Sequence, residues 1–127
     1  MKILTLNTHS LAEPDYDKKL LQFAEVVKKE MPVVMALQEV NQSVNAAAVP
    51  QELLTGYVPC KDFDKIIRQD NHACQLAGIL AKSGLHYEWT WVSAKLGYSI
   101  YDEGLALFSL KPIREVRHFY ISNIRNY

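Results

Sequence analysis

This sequence lacks a net charge and any long hydrophobic run, and each absence excludes some classes of function. Fourteen Lys and Arg balance 14 Asp and Glu, so the chain as a whole has no field that would attract a polyanion or an anionic membrane. Nowhere do about 18 apolar residues follow one another, and Met1 is not followed by a signal-type hydrophobic segment. A phosphate-bearing partner would therefore have to be bound by local groups.

Cysteine is also scarce, and this bears on the compartment. Cys60 and Cys74 are too few for a disulfide framework and lack the spacing of a metal site, which favours a reducing, cytoplasmic environment. By contrast, 127 residues with 49% hydrophobic content, seven Tyr, four Phe and two Trp suffice for one domain with a real core. The chain is predicted to be a soluble globular protein.

The most informative stretch is residues 33–40, VVMALQEV, in which five apolar residues lead to a glutamine and a carboxylate. Its continuous apolar character, after Pro32, predicts a strand buried on both faces of a sheet, with Glu39 where the strand ends. A carboxylate next to a core is costly unless a cation or a basic group meets it. The alternative is an exposed Glu39 that opens a surface loop.

The first third of the chain has a strand–helix–strand pattern. Residues 2–6 predict a short strand, followed by a polar loop. Residues 18–31 carry apolar side chains at helical spacing, with Asp15 or Asp17 available as a cap and Pro32 as the stop.

This pattern predicts that two polar side chains meet. Consecutive strands joined by a helix are nearly always parallel, so Asn7 and Glu39 should face the same crevice at the carboxyl edge of the sheet. A carboxylate and a carboxamide there could hold a hard cation and orient an anionic oxygen. The alternative is two polar loop residues that only happen to end strands.

The middle of the chain is less informative. Residues 41–70 show no period and predict a long, partly ordered connection, in which Lys61, Lys65 and Arg68 are more typical of a solvated face than of a binding site. Asp70 and Asn71 then offer a cap for a second amphipathic helix that stops at residues 83–84. Gly78 weakens this helix, which indicates a packing reason for the glycine.

The remaining segment predicts strands with aromatic content. Tyr87, Trp89 and Trp91 alternate with polar residues and should cover a core face, although nucleic-acid stacking platforms use similar residues. Residues 93–102, with Tyr98 among them, predict a loop, residues 105–109 an apolar strand, and residues 114–121 the return strand of a hairpin after a turn at 111–112.

Taken in order, these segments resemble the N-terminal motifs of the endonuclease/exonuclease/phosphatase superfamily, which shares the DNase I fold. The matching segments are 4–10 (LTLNTHS), 36–40 (ALQEV), 101–109 (YDEGLALFS) and 111–113 (KPI). The resemblance implies an α/β fold, with residues 1–127 as one incomplete domain: the N-terminal half of a DNase I-like four-layer α/β sandwich, a mixed sheet flanked by two helices.

The resemblance also implies roles for single residues. Glu39 would be the Mg²⁺ ligand, with Mn²⁺ as the alternative ion, and Asn7 would assist both the metal and the scissile phosphate. Glu103 matches the glutamate that orients the catalytic histidine in DNase-like members, and Tyr101 would contact substrate. The implied catalytic set is therefore Asn7, Glu39 and Glu103. A metal with few protein ligands suits phosphoester hydrolysis, since Mg²⁺ keeps several waters and binds substrate phosphate.

Several family features are absent from the sequence. No Asp-x-Asn triplet and no Asp-His pair occurs, and His118 comes too early to be the family's catalytic histidine, so it is interpreted as an ordinary strand residue. His9, His72 and His86 also lack a matching motif. The chain is therefore expected to be an N-terminal fragment, inactive alone, whose uncovered aromatic and aliphatic sheet face promotes self-association.

The expected function of the complete protein is Mg²⁺-dependent phosphodiester hydrolysis. Nucleic acid is preferred as the substrate over a phospholipid or phosphoinositide, because basic residues outnumber acidic ones near the C-terminus; these are Lys111, Arg114, Arg117 and Arg125. On an alternating strand such residues are more often the solvated side. The alternative function is a non-catalytic α/β binding or assembly module.

Overall fold

The computed structural model describes residues 1–62, 66–97 and 100–121, without the side chains of residues 96 and 97. Lys65, Tyr98 and Arg125, named in the sequence analysis, lie outside the described residues. The elements are strands β1 (Ile3–Asn7), β2 (Val34–Ser43), β3 (Glu88–Gly97) and β4 (Tyr101–Ser109), helices α1 (Tyr16–Glu30) and α2 (His72–Lys82), and 3₁₀ turns at Ser10–Ala12 and Gln51–Leu53.

The four strands form one mixed sheet in the order β1-β2-β4-β3. β1 and β2 are parallel and joined through α1, whereas β4 is antiparallel to both β2 and β3. The predicted strand–helix–strand unit with parallel neighbours is therefore confirmed, as is the mixed sheet with two helices. No helix among the described residues is long and apolar enough to cross a membrane.

Local sequence explains where the helices begin and end. α1 starts after Asp15, whose side chain makes no capping bond. It ends at Met31, which has a left-handed backbone conformation and donates its N–H to Val27 O at 2.8 Å. Pro32 then prevents continuation. α2 has the predicted cap, since the Asn71 side chain accepts the Cys74 N–H at 3.1 Å.

One apolar cluster joins both helices to the same face of the sheet. Leu20 and Val27 of α1 and Leu76 and Leu80 of α2 are buried there. The aromatic row that alternation predicted, Tyr87, Trp89 and Trp91, is almost fully buried there, as is Phe108 of β4. The aromatic side of the sheet is therefore the core side, and the interpretation of this row as core is confirmed.

The other side of the sheet is less covered than predicted. In β2 the side chains alternate between buried Met35 and Leu37 and half-buried Val34 and Ala36, so the strand is not buried on both faces. We call the side opposite the helices the open face; Leu105 and Leu107 on it are 49% and 38% exposed. The prediction of an uncovered aromatic and aliphatic face is right for its aliphatic part and wrong for Tyr87, Trp89 and Trp91, which lie on the side covered by the helices.

The second half of the chain also departs from prediction in its boundaries. Residues 93–102 are not one loop, because β3 continues to Gly97 and β4 begins at Tyr101. β2 does not end at Glu39 but continues to Ser43. Residues 114–121 form no strand; Val116 and Arg117 instead line a hollow on the open face with Ala36 and Leu107.

Two glycines have opposite surroundings. A Cβ on Gly104 would lie 2.2 Å from the Val92 carbonyl oxygen and 2.7 Å from Trp91 Nε1, so only glycine allows this approach of β3 to β4. A Cβ on Gly78 would meet no atom of the described residues within 4 Å. The packing reason expected for Gly78 is therefore not found.

These surroundings predict opposite effects of adding a methyl group. Gly104→Ala should lower the free energy of unfolding by about 2 kcal/mol or more, because the strands must separate to admit it. Gly78→Ala, the matched control, should raise it by up to about 1 kcal/mol through helix propensity. Urea denaturation of both variants measures the difference, and equal stability of the two would contradict the close approach at Gly104.

Candidate metal and phosphate site

The parallel pairing of β1 and β2 brings the predicted site residues together. Asn7, the last residue of β1, is the direct partner of Gln38 in the register, so Glu39 is the next residue along the neighbouring strand. Adjacent strands lie about 4.8 Å apart. The Thr8 N–H donates to Gln38 O at 2.9 Å, which extends the ladder past the end of β1. The predicted placement of Asn7 and Glu39 at one edge of the sheet is confirmed, and the shared crevice stays a prediction.

A β-bulge gives Glu39 its orientation. Leu37 pairs with Ala106 and Val40 with Gly104, so Gln38 and Glu39 together face the single residue Leu105. Glu39 has a left-handed backbone with φ 54°, which is uncommon for a residue with a side chain. The bulge lets β2 return Val40 to the core while both preceding polar side chains stay out of it.

Strained backbone gathers at this edge. Besides Glu39, His9 and Ser10 have positive φ values of 51° and 50°. Ser10 is buried, and its Oγ accepts the Asn41 N–H at 3.1 Å; the Thr8 hydroxyl donates to the Gln38 and Glu39 carbonyls at 3.1 Å each. Such strain persists only where surrounding contacts over-determine it, and it is concentrated at functional sites.

The two predicted metal-site side chains differ in what they already bind. The Asn7 Oδ1 accepts the His9 N–H at 3.1 Å, which fixes the carboxamide at the end of β1. The half-buried Glu39 carboxylate has no hydrogen-bond or ion-pair partner within the part of the chain that the structure describes. Oxygen atoms of this kind are the ligands that Mg²⁺ prefers.

Tyr101 and Glu103 lie on the same side of the sheet. In β4 they alternate with buried Asp102 and Gly104, so their side chains leave the sheet on the open face, as Gln38 does. Glu103 is paired in register with Asn41, and its Oε2 lies 3.4 Å from Lys95 Nζ. The Tyr101 hydroxyl donates to Leu11 O at 3.4 Å. All four predicted site residues thus occupy one end of one face.

A buried polar network behind this edge was not predicted. Gln42 is fully buried; its Oε1 accepts the Arg68 N–H at 2.9 Å and the Asn71 side-chain amide at 3.0 Å. Both oxygens of Asp70 accept the Ser43 N–H. These bonds order the connection that showed no period in sequence. Their only sequence signal was the cluster of polar residues at 68–71.

Three of the basic residues considered in the sequence have structural partners among the described residues. The Arg68 guanidinium donates to Ala46 O at 2.8 Å, and Lys61 Nζ lies 3.4 Å from Glu115 Oε1. Arg117 pairs with the same Glu115 at 2.8 Å. Lys111 and Arg114 are exposed. Lys61 and Arg117 are exposed as well, in agreement with a solvated face, whereas Arg68 is half-buried and its Nε is buried.

A small hollow beside the edge contains a buried histidine. Its cavity volume is about 140 Å³, and its lining includes Thr8, Ser10, Tyr16 and His72. The Tyr16 hydroxyl lies 2.8 Å from His72 Nδ1, and His72 Nε2 is buried without a hydrogen-bond partner among the described residues. Burial lowers the pKa of His72 to about 4 and raises that of Tyr16. At neutral pH this histidine is therefore uncharged.

A second group of side chains meets away from this edge. Cys60, Asp62 and His118 offer sulfur, oxygen and nitrogen atoms that lie within 4.8 Å of one another. His118 is not in a strand, contrary to the interpretation, and Cys60, which has no metal-site spacing in the sequence, lies beside Asp62 and His118. Residues 60 and 118 are too far apart in sequence for spacing to reveal this group. Hydrogen bonds, first from Cys60 and then from His118, lower the pKa of the Asp62 carboxyl.

Two endonuclease/exonuclease/phosphatase proteins are among the solved structures that resemble the chain. No protein family profile matches the chain, and no curated protein does. An endonuclease/exonuclease/phosphatase family protein from Leptotrichia buccalis C-1013-b matches 86% of the chain at 31% identity with a TM-score of 0.70. An endonuclease/exonuclease/phosphatase from Beutenbergia cavernae DSM 12333 matches 87% at 18% identity with a TM-score of 0.49. The chain covers 36% and 25% of those proteins, respectively.

The buried histidine makes stability depend on pH. Because the pKa of His72 falls from 6.5 to about 4 on folding, the unfolded chain binds more protons between these values, and the free energy of unfolding decreases as the pH falls. This residue should account for a loss of about 2 kcal/mol between pH 7 and pH 5. Urea denaturation at the two pH values measures it.

His72→Gln should reduce that pH dependence, whereas the control His86→Gln, at an exposed position, should keep it. An unchanged pH dependence in His72→Gln would contradict the assignment.

Proposed function

The chain is related in fold and sequence to the endonuclease/exonuclease/phosphatase family, as its motifs predict, and on this premise we propose that it forms the Mg²⁺-holding part of a phosphodiester hydrolase. The observation that supports this most is the parallel register that sets Asn7 beside Gln38 and the bulged Glu39. The chain covers 36% of the Leptotrichia buccalis protein. The activity proposed is therefore that of a complete domain.

Glu39 is the residue proposed to hold the metal. Its half-buried carboxylate has no partner within the described residues. A nearby cation would stabilise the charged form of such a carboxylate, so a divalent ion fits this position. Mn²⁺ would fit the same oxygen ligands. When bound, Mg²⁺ would neutralise phosphate charge and stabilise the leaving oxygen.

Asn7 is proposed to position the phosphate. Since its Oδ1 already accepts the His9 N–H, its NH₂ group is the part free to donate within the described residues. A neutral amide can bind a phosphate oxygen without repelling it. This favours Asn7 as a phosphate donor, with a weaker contribution to the metal.

Glu103 and Tyr101 are proposed to complete the edge. Glu103 is largely buried and already holds Lys95, so it can orient a cationic or proton-carrying group beside the substrate. Tyr101 would contact substrate from the same face.

The sequence provides only part of the catalytic set. Asp-x-Asn and Asp-His motifs are absent from these residues, so the 127 residues alone are proposed to be inactive. Nucleic acid is the preferred substrate over phospholipid. Self-association through the exposed leucines of the open face is a further proposal. A cytoplasmic location stays a prediction from cysteine usage.

The metal assignment predicts where Mn²⁺ binds to this chain. In ¹⁵N-resolved NMR spectra, Mn²⁺ should broaden backbone signals near Asn7 and Glu39 first, and excess Mg²⁺ should restore them. Glu39→Gln should weaken this binding about tenfold or more, because a neutral amide replaces the proposed anionic ligand. In a complete active domain the same change should abolish metal-dependent cleavage.

Glu52→Gln is the matched control, because Glu52 is an exposed carboxylate in the Gln51–Leu53 turn. It should leave the broadening unchanged. Identical broadening in Glu39→Gln and the unmodified chain would refute the metal site and favour a non-catalytic binding or assembly module.

A further inference from the structure

Three side chains of different chemistry converge near the C-terminal end of the described chain. Cys60 Sγ lies 2.8 Å from Asp62 Oδ1 and 3.6 Å from His118 Nδ1. The same Asp62 oxygen lies 3.1 Å from His118 Nδ1. Each of the three atoms therefore lies within hydrogen-bonding distance of the other two.

We propose that Cys60, Asp62 and His118 form a zinc site, separate from the oxygen site at Glu39. Sulfur and imidazole nitrogen favour Zn²⁺ over Mg²⁺, and three protein ligands with water in the fourth position make a common tetrahedral site. The Asp62 and His118 side chains are 50% and 22% exposed, which leaves solvent access for that fourth ligand.

The spacing of the three atoms suits a tetrahedral ion. Zinc–ligand lengths of about 2.3 Å to sulfur and 2.0–2.1 Å to nitrogen or oxygen place neighbouring ligands about 3.3–3.6 Å apart. The Cys60–His118 separation of 3.6 Å already has this value, and the His118–Asp62 separation of 3.1 Å is near it. Only the Asp62 oxygen must move, by less than about 1 Å, to open its distance from the sulfur.

The backbone holds the two contributing segments in place without a metal. The Lys61 N–H donates to Val116 O at 3.2 Å, and the His118 N–H donates to Asp62 Oδ1 at 3.3 Å. Lys61 Nζ also lies 3.4 Å from Glu115 Oε1. The ligands are thus preorganised, which lowers the entropic cost of binding.

Charge balance also suits a divalent ion. On binding, the Cys60 thiol loses its proton to solvent, and the resulting thiolate and the Asp62 carboxylate together neutralise Zn²⁺, while His118 binds as neutral imidazole. No electron is transferred and no co-reactant is needed.

Zinc would fix the C-terminal segment over the sheet. Residues 111–121 have no helix or strand, and Val116 and Arg117 from this segment lie beside Ala36 and Leu107 of the open face. Linking His118 to the 60–62 segment would therefore hold this part of the chain across the open face. Because water would occupy the fourth position, the ion would order the chain and still keep one open coordination position.

The test uses the reduced 127-residue chain and Co²⁺ as a coloured substitute for Zn²⁺. One equivalent of Co²⁺ should produce a sulfur-to-cobalt charge-transfer band, and Zn²⁺ should displace it. This measurement needs no variant, so the absence of the charge-transfer band in the unmodified chain would overturn the proposal.

Two matched pairs of variants locate the site. Cys60→Ser should abolish the band, and His118→Asn should weaken Co²⁺ binding about tenfold or more. Cys74→Ser and His86→Asn should leave binding unchanged, since Cys74 lies on α2 and His86 is exposed. Retention of the band in Cys60→Ser, or its loss in Cys74→Ser, would overturn the assignment.

Glu39→Gln distinguishes the two metal proposals. The cobalt band should persist in that variant, because its ligands are independent of the carboxyl edge of the sheet. Loss of the band in Glu39→Gln would contradict a separate site at Cys60. Circular dichroism of each metal-free variant confirms that the comparison is between folded chains.

Discussion

The bulge in β2 is the constraint on which the candidate site depends. Gln38 and Glu39 both lie opposite the single residue Leu105. The extra residue shifts the alternation of β2 by one position, so the side chains after the bulge face the other side of the sheet while the strand stays paired. The buried Trp91 indole N–H donates to Val40 O at 2.9 Å, directly after the bulge. Gly104 gives the indole room. A core aromatic residue thus fixes the backbone that positions a solvent-facing carboxylate.

The end of β1 leaves a second requirement, because β2 continues beyond its neighbour. Its amide groups past the bulge would lack partners along that edge, yet a buried amide needs one. Side chains replace the missing strand: Ser10 accepts from Asn41, and Asp70 accepts from Ser43. The loop after β1 and the connection before α2 therefore supply the hydrogen bonds that a neighbouring strand would make. This explains why their polar residues are buried.

The sequence was sufficient where a rule depends on local pattern and handedness. Periodicity predicts α1 and α2, and the rule that strands joined by a helix are parallel predicts that Asn7 lies near Glu39. It was insufficient where partners are distant. A bulge at Glu39 looks like a strand end, because both interrupt alternation, and the partners of Gln42 lie 26 and 29 positions away. His118 meets Cys60 across 58 positions, a separation that no motif encodes.

The strand order has a consequence for how the chain folds. β3 and β4 are consecutive and can pair soon after collapse, whereas β2 must be inserted between β4 and β1. Its pairing with β4 closes a loop that contains the whole connection and α2, and loop closure entropy opposes that contact until neighbouring contacts form. That contact therefore carries the highest closure cost in the sheet, and until it forms, the edges of β2 and β4 that face each other can join strands of another molecule.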